Sequence, residues 1–417
     1  MRRRLPISIS TEIASVLFTV VIVAAAFSSP IAAHSQALTT LYNLQGSPTD
    51  GDWPCAGVIR DAKGNMYGTT QGGGKWDYGT VFALGANNAE AVVHNFQDSD
   101  GQSPCAPLIY ADGSLYGTTI YGGDNEDGTV FSIRGTHLTV LYKFQGIPDG
   151  QGPFGGLVEN IDGDFYGTTA QGGSGTGAGG SGTIYKIDKA GHETVLYSFS
   201  GRDGAYPAAS LIHDSAGNLY GTTNGGGANN HCPSAGCGTV FKFDTSGKLT
   251  VLHSFTGGTA DGWFVVTPVV RDAAGNLYGT TSGGGTWNLG TIFEITNKGK
   301  ERVLYSFAGP PDGWNPNQLV IANGKLYGTT YLGGQSDCNG IDGLCGTIFE
   351  FDQVEGEKVL YRFNGFTDGE EPTGPVTFDS NGNLYGTTQS GIKDGCPFSH
   401  GGCGTVWKLA LGAADVP

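Results

Sequence analysis

The residues of this 417-residue chain able to do chemistry are few and unevenly spread. Asp52, Glu370 and Glu371 offer carboxylates, and His231 and His400 offer imidazoles. Two carboxylates at a set separation could hydrolyse a glycosidic bond, and a histidine could act as general base. Trp53, Trp76, Tyr78, Trp263, Trp287 and Trp314 offer flat rings of the kind that stack on sugars or other apolar faces. Tyr206 and Phe264 extend that set. The competing use of the tryptophans is to plug a channel mouth or pack between loops. No Gly-x-Ser-x-Gly, His-Glu-x-x-His or phosphate loop stands in a usable context, so no cofactor is expected.

These residues are carried by a repeat. Tyr-Gly-Thr-Thr occurs seven times, from Tyr67, Tyr116, Tyr166, Tyr220, Tyr278, Tyr327 and Tyr385. Each copy is followed by Gly-Thr-(Val/Ile)-aromatic, beginning at Gly79 in the first and Gly404 in the last. A segment resembling Val-Leu-Tyr-x-Phe and then an Asp-Gly pair complete the unit, the acids being Asp50, Asp100, Asp149, Asp203, Asp261, Asp312 and Asp368. Four ordered elements repeated seven times at spacings of 49 to 58 residues exclude chance.

Each unit holds four short runs rich in β-branched and aromatic residues, separated by Gly, Asp and Asn. In the fourth these are Ala208–His213, Asn218–Thr223, Thr239–Phe243 and Thr250–Phe255. We label the strands A to D from the axis outward. The predicted fold is all-β: a seven-bladed β-propeller with four antiparallel strands per blade. After residues 1–37 the chain begins with a lone D strand, Leu38–Leu44, and it ends after a C strand, Thr405–Leu409. The first strand can therefore complete the last blade and close the ring. The domain spans residues 38–410, with a short tail at 411–417.

Antiparallel strands put the A–B and C–D turns on one face and the B–C and D–A loops on the other. The first set is short and uniform. The B–C loops hold 8, 8, 12, 14, 8, 15 and 15 residues, which marks the second face as the one that carries function. The named aromatics, acids and histidines fall there, whereas Trp407 takes a core position in a C strand. The cysteines agree: Cys232 with Cys237, Cys338 with Cys345 and Cys396 with Cys403 would staple the three longest loops. Cys55 and Cys105 follow a proline in adjacent repeats and would bridge neighbouring blades if their inner strands approach closely enough. No Cys/His spacing repeats a zinc pattern, and Asp50/Asp52 or Asp98/Asp100 lack the rest of a calcium loop, so no metal is expected. The Asp of each Asp-Gly pair reads as a turn former, and His94 and His253, in place of the D-strand tyrosine, read as packing variants.

Arg2, Arg3 and Arg4, an apolar run over Ile13–Phe27 and small residues before Ala33 or Ala37 read as a cleaved signal peptide over residues 1–37. Its removal takes away a net +2 and leaves −18, a surface that repels phosphate backbones and anionic lipid. Nucleic acid is excluded as a partner, and so is membrane attachment after cleavage. A monomer is expected, secreted or periplasmic.

Leu-Tyr-Gly-Thr-Thr, Gly-Gly, Gly-Thr-Val-Phe and Val-Leu-Tyr-x-Phe-x-Gly together resemble the Gloeo_Verruco (GloVer) tandem repeat of exported bacterial proteins. The resemblance covers about residues 38–410 and implies the fold and compartment but no assigned reaction. Some relatives carry a C-terminal surface anchor; this chain stops at Pro417 without one, which implies a soluble form. The function expected is binding of carbohydrate or another extracellular ligand on the tryptophan-bearing face. A polysaccharide lyase or glycoside hydrolase there, or an interaction scaffold for an extracellular protein, are the alternatives.

Overall fold

A computed structural model describes residues 37–412 apart from 176–178, 229–231, 233–235, 335–337, 339–344, 366 and 392–401. The signal segment 1–36, residues 413–417 of the tail, His231, His400 and Cys396 therefore lie outside the described residues. Among the described residues there is no helix, hence none long and apolar enough to cross a membrane.

The strands form seven four-layered blades, the sixth with one extra short strand. Blade 1 runs Ile59–Arg60, Met66–Thr70, Thr80–Leu84, Glu90–Asn95. Blade 7 is closed as expected: Glu370–Phe378, Leu384–Ser390 and Thr405–Leu409 are completed by Leu38–Asn43 from the other end of the chain. The register runs from Leu38 opposite Leu409 to Asn43 opposite Thr405.

The repeated motif explains itself through packing. Gly68 of Tyr-Gly-Thr-Thr faces Phe82 of the adjacent C strand, and a Cβ there would meet the ring at 2.5 Å. The other six glycines stand against Phe131, Tyr185, Phe241, Phe293, Phe349 and Trp407 in the same way. Only a residue without a side chain leaves room for the aromatic. The second threonine locks strand B to strand C: Thr70 Oγ1 is 2.8 Å from Thr80 Oγ1, and such a pair recurs in all seven blades. The first threonine links blades. Thr69 donates to the Ala106 carbonyl of blade 2, and the last copy, Thr387, donates to Ala56 and joins blade 7 to blade 1. In blade 6 Asn317 makes the link instead, from Nδ2 to Thr329 Oγ1 and to the Pro372 carbonyl.

Those links shorten the inner strands. The run Ala208–His213 was expected as a whole strand, but only Ile212–His213 pairs with its own blade. The Ala209 carbonyl accepts from Thr168 of the preceding blade, and Ser210 Oγ accepts from the Gly156 amide. Inner strands thus spend part of their backbone polarity on neighbours rather than on the ladder.

The core lies between blades, in seven separate clusters, one at each interface. The D-strand phenylalanine of one blade meets the C-strand aromatic of the next edge-on. Phe96–Phe131, Phe144–Tyr185, Phe199–Phe241, Phe255–Phe293, Phe307–Phe349 and Phe363–Trp407 have centroids 5.1–5.7 Å apart. This geometry suits the ring quadrupoles. Trp407 is fully buried, as its motif position required.

Candidate ligand-binding face

Each D–A connection reads Asp-Gly-x-Z, and the aspartate sets it up. In every blade its carboxylate accepts a backbone amide three to five residues upstream, from Gln45, Gln97, Gln145, Ser200, Thr256, Ala308 or Asn364, at 2.7–3.0 Å. The D-strand tyrosine also donates to it, as Tyr42 does to Asp50 and Tyr142 to Asp149. The turn-forming role of these acids holds, and Asp50 has both oxygens engaged. His94 and His253 are more than packing variants: their Nε2 atoms lie 3.2 and 3.3 Å from Asp100 and Asp261, in the place of the tyrosine hydroxyl. His253, Asp261 and Glu301 bring ligand-type atoms within 4.8 Å of one another, a histidine version of the Tyr-Asp-Glu corners found in other blades.

Residue Z carries a left-handed backbone in all seven connections. Trp53, Ser103, Gly152, Tyr206, Phe264, Asn315 and Glu371 have φ between 54° and 64°. Its amide docks on the preceding blade, Trp53 to the Cys403 carbonyl and Phe264 to that of Cys237. Its carbonyl accepts from its own blade, Trp53 from the Gln71 amide and Phe264 from that of Ser282.

The aromatics chosen from sequence fall into two groups. Trp53, Trp76 and Tyr78 stand on blade 1, exposed by 38%, 49% and 36%, with Lys75 Nζ 4.5 Å above the Trp76 ring. Trp263, Trp287 and Trp314 stand on blades 5 and 6. Trp287 is 61% exposed; Trp263 lies over Gly283 and donates from Nε1 to Asn288 Oδ1, so it is half loop packing. Beside this second group opens a cavity of about 530 Å3. Phe264, Trp314 and Tyr331 supply its rings, and Asn288, Asn315 and Asn317 its amides; it reaches Thr373 of blade 7 and Cys55 of blade 1. No side chain around it carries a charge. Trp314 Nε1 is buried without a partner.

Tyr331, Asn315 and Asn317 were not singled out by sequence, because strand B of blade 6 runs on to Leu332 and carries Tyr331 past its Thr-Thr pair. Tyr331 donates to Gln389 Oε1 at 3.0 Å, and burial, with Glu371 nearby, raises its hydroxyl above the usual phenol range.

A model of the Gloeobacter/Verrucomicrobia repeat matches residues 27–233 and 231–415. The chain belongs to the Gloeobacter/Verrucomicrobia repeat family. Among curated protein sequences nothing matches this repeat protein. Of solved structures, virginiamycin B lyase from Staphylococcus aureus is similar to it at 16% identity and a TM-score of 0.57, over 90% of this chain and 99% of that one. XC5397 of Xanthomonas campestris, described as a gluconolactonase, is similar at 13% identity and a TM-score of 0.42, over 90% and 89%. The first likeness is one of fold.

In this repeat protein the acid–base candidates are dispersed. Asp52 is buried on blade 1, where burial and the nearby charges of Asp77 and Asp50 push its carboxyl up to about 6. Glu370 is also buried, and Glu371 accepts from Ser390 Oγ at 3.0 Å. None of the three lines the cavity. Cys232–Cys237 and Cys338–Cys345 pair as expected, and Cys55–Cys105 does bridge blades 1 and 2, with Cα atoms 5.2 Å apart. Cys403 is disulfide-bonded too.

Proposed function

We propose that this protein is an exported binding propeller that holds a neutral carbohydrate on its D–A and B–C loop face. The observation that carries the reading is the cavity at blades 5 and 6, walled by rings, amides and hydroxyls with no ionised group. A sugar presents C–H faces to rings and hydroxyls to amides, and asks for no counter-charge. The disulfides fit folding in an oxidising compartment outside the cytoplasm.

The test is tryptophan fluorescence of residues 38–417 titrated with neutral glycans (β-glucan, xylan, mannan) and with polyuronates. A saturable shift with one neutral class is expected. Trp314→Ala and Phe264→Ala should each weaken it about tenfold, the loss typical of an aromatic anchor, with the unfolding temperature recorded alongside. Silence across the neutral glycans, or parent-like affinity in both variants, overturns the reading. New chain ends in the same samples would point to hydrolysis or elimination instead.

A further inference from the structure

The left-handed residues have a distribution that folding alone does not explain. Among the described residues, the non-glycine residues with positive φ outside the D–A position are Asp77, Asn88, Asp112, Glu126, Asn288 and Asn323, nearly all of the Asn/Asp type that tolerates this backbone. At the D–A position the occupants are instead Trp53, Ser103, Tyr206, Phe264, Asn315 and Glu371, with glycine only at Gly152. A bulky side chain held at positive φ is strained, and glycine would remove the strain. Glycine is also the commonest residue of the chain, 73 in all, and fills most other left-handed positions.

The main chain at this position does not need the side chain. Six of the seven residues dock their amide on the carbonyl just before the Gly-Thr of the preceding blade: Cys403, Tyr78, Asp127, Ser181, Cys237 or Leu289, at 2.9–3.1 Å. The connection is built identically around Gly152 and around Phe264. The side chains point to open space where it can be checked. Trp53 and Phe264 are about 40% exposed, and Phe264 and Asn315 line the uncharged cavity. Glu371 sits against Tyr331, which lines it too.

We propose that the seven left-handed D–A residues form a contact ring, one side chain per blade, that reads a neutral polyhydroxylated ligand. Trp53, Tyr206 and Phe264 supply stacking faces, Ser103 and Asn315 supply hydrogen bonds, and Gly152 leaves a gap that orients the ligand. The ligand class rests on the carbohydrate reading above; the ring rests on the backbone.

A variant of residues 38–417 carrying Trp53→Gly, Tyr206→Gly, Phe264→Gly and Asn315→Gly separates the two. Its melting temperature and its affinity for hexasaccharides of glucose, xylose and mannose would be measured beside the parent. Relief of strain offsets the lost contacts, so melting should fall no more than about 3 °C below the parent, against a collapse if four core aromatics were lost. Affinity should drop at least tenfold. A larger fall in melting temperature makes these side chains structural and overturns the ring. Parent-like melting with parent-like affinity overturns it as well, and leaves the carbohydrate reading standing. A parent that binds none of the hexasaccharides, with the variant still melting normally, overturns the ligand class. As a converse, Gly152→Tyr should fold and change the preference among the three sugars at least threefold; an unchanged preference counts against the ring.

Discussion

A chain lacking residues 38–44 is expected to lose its cooperative unfolding transition and to aggregate. Leu38–Asn43 is the outer strand of blade 7, and without it the Thr405–Leu409 strand presents a bare edge. The strand also feeds two cores: Leu38 packs on the cluster between blades 6 and 7, and Leu41 and Tyr42 on the one between blades 7 and 1. Leu44 is buried beyond it, and Tyr42 donates to Asp50. Burying four such side chains stabilises by roughly 6–10 kcal/mol. That is comparable with the whole stability of a typical domain, about 5–15 kcal/mol. Calorimetry and light scattering on the truncated protein would check it. A peptide of residues 38–45 added in trans should restore the transition, and a scrambled peptide should not. Unchanged melting without the strand would mean the ring closes by other contacts.

The second large effect is expected from pH. Glu90, Glu193, Glu301 and Glu357 open the D strands of blades 1, 3, 5 and 6, each buried against the aspartate of the preceding D–A turn. Their neighbours are Asp50 with Tyr42, Asp149, Asp261 with His253, and Asp312 with Tyr305 and Arg362. Burial first, and the neighbouring carboxylate second in importance among the raising causes, lifts them from 4.5 to about 7, about 7, about 7 and about 8. In each glutamate one oxygen, Oε1, has no partner. The native state therefore holds protons that the unfolded chain has released, and stability present at pH 4.5 is lost as pH rises through 7 to 8. Allowing for solvent screening, each group is worth about 1 kcal/mol, so melting should fall by about 5 °C from pH 5 to pH 8. The turn aspartates Asp61, Asp214, Asp272 and Asp379, held low by hydrogen bonds from Asn side chains and backbone amides, act in the opposite sense only in more acidic solution. The same register holds Leu138, Leu249 and Leu38 in the other blades, so replacing all four glutamates by leucine should remove the slope and raise melting at pH 8. A pH-independent parent would sink this account.

How far the sequence could be read follows from what each feature depends on. The blades, the ring closure and the disulfide between Cys55 and Cys105 were legible, because each rests on residue types repeated at fixed spacing. The truncated inner strands were not, since their carbonyls are claimed by threonines of another blade. The cavity joins residues from four blades, and no local pattern places Tyr331 beside Phe264. The backbone at Trp53 or Tyr206 is hidden for a different reason: neither residue type signals a left-handed conformation. The available signal was the comparison of columns, where Gly152 stands in line with Trp53 and Phe264.

The pairing of Leu38–Asn43 with Thr405–Leu409 also dictates a timetable. Strands meet their partners within about twenty residues elsewhere in the blades, but this strand's partner lies more than 360 residues downstream. Closing so long a span is entropically the most demanding step, and contacts of this kind form late. During synthesis six blades can assemble in the order they emerge, while the first strand made waits, unpaired, for the last.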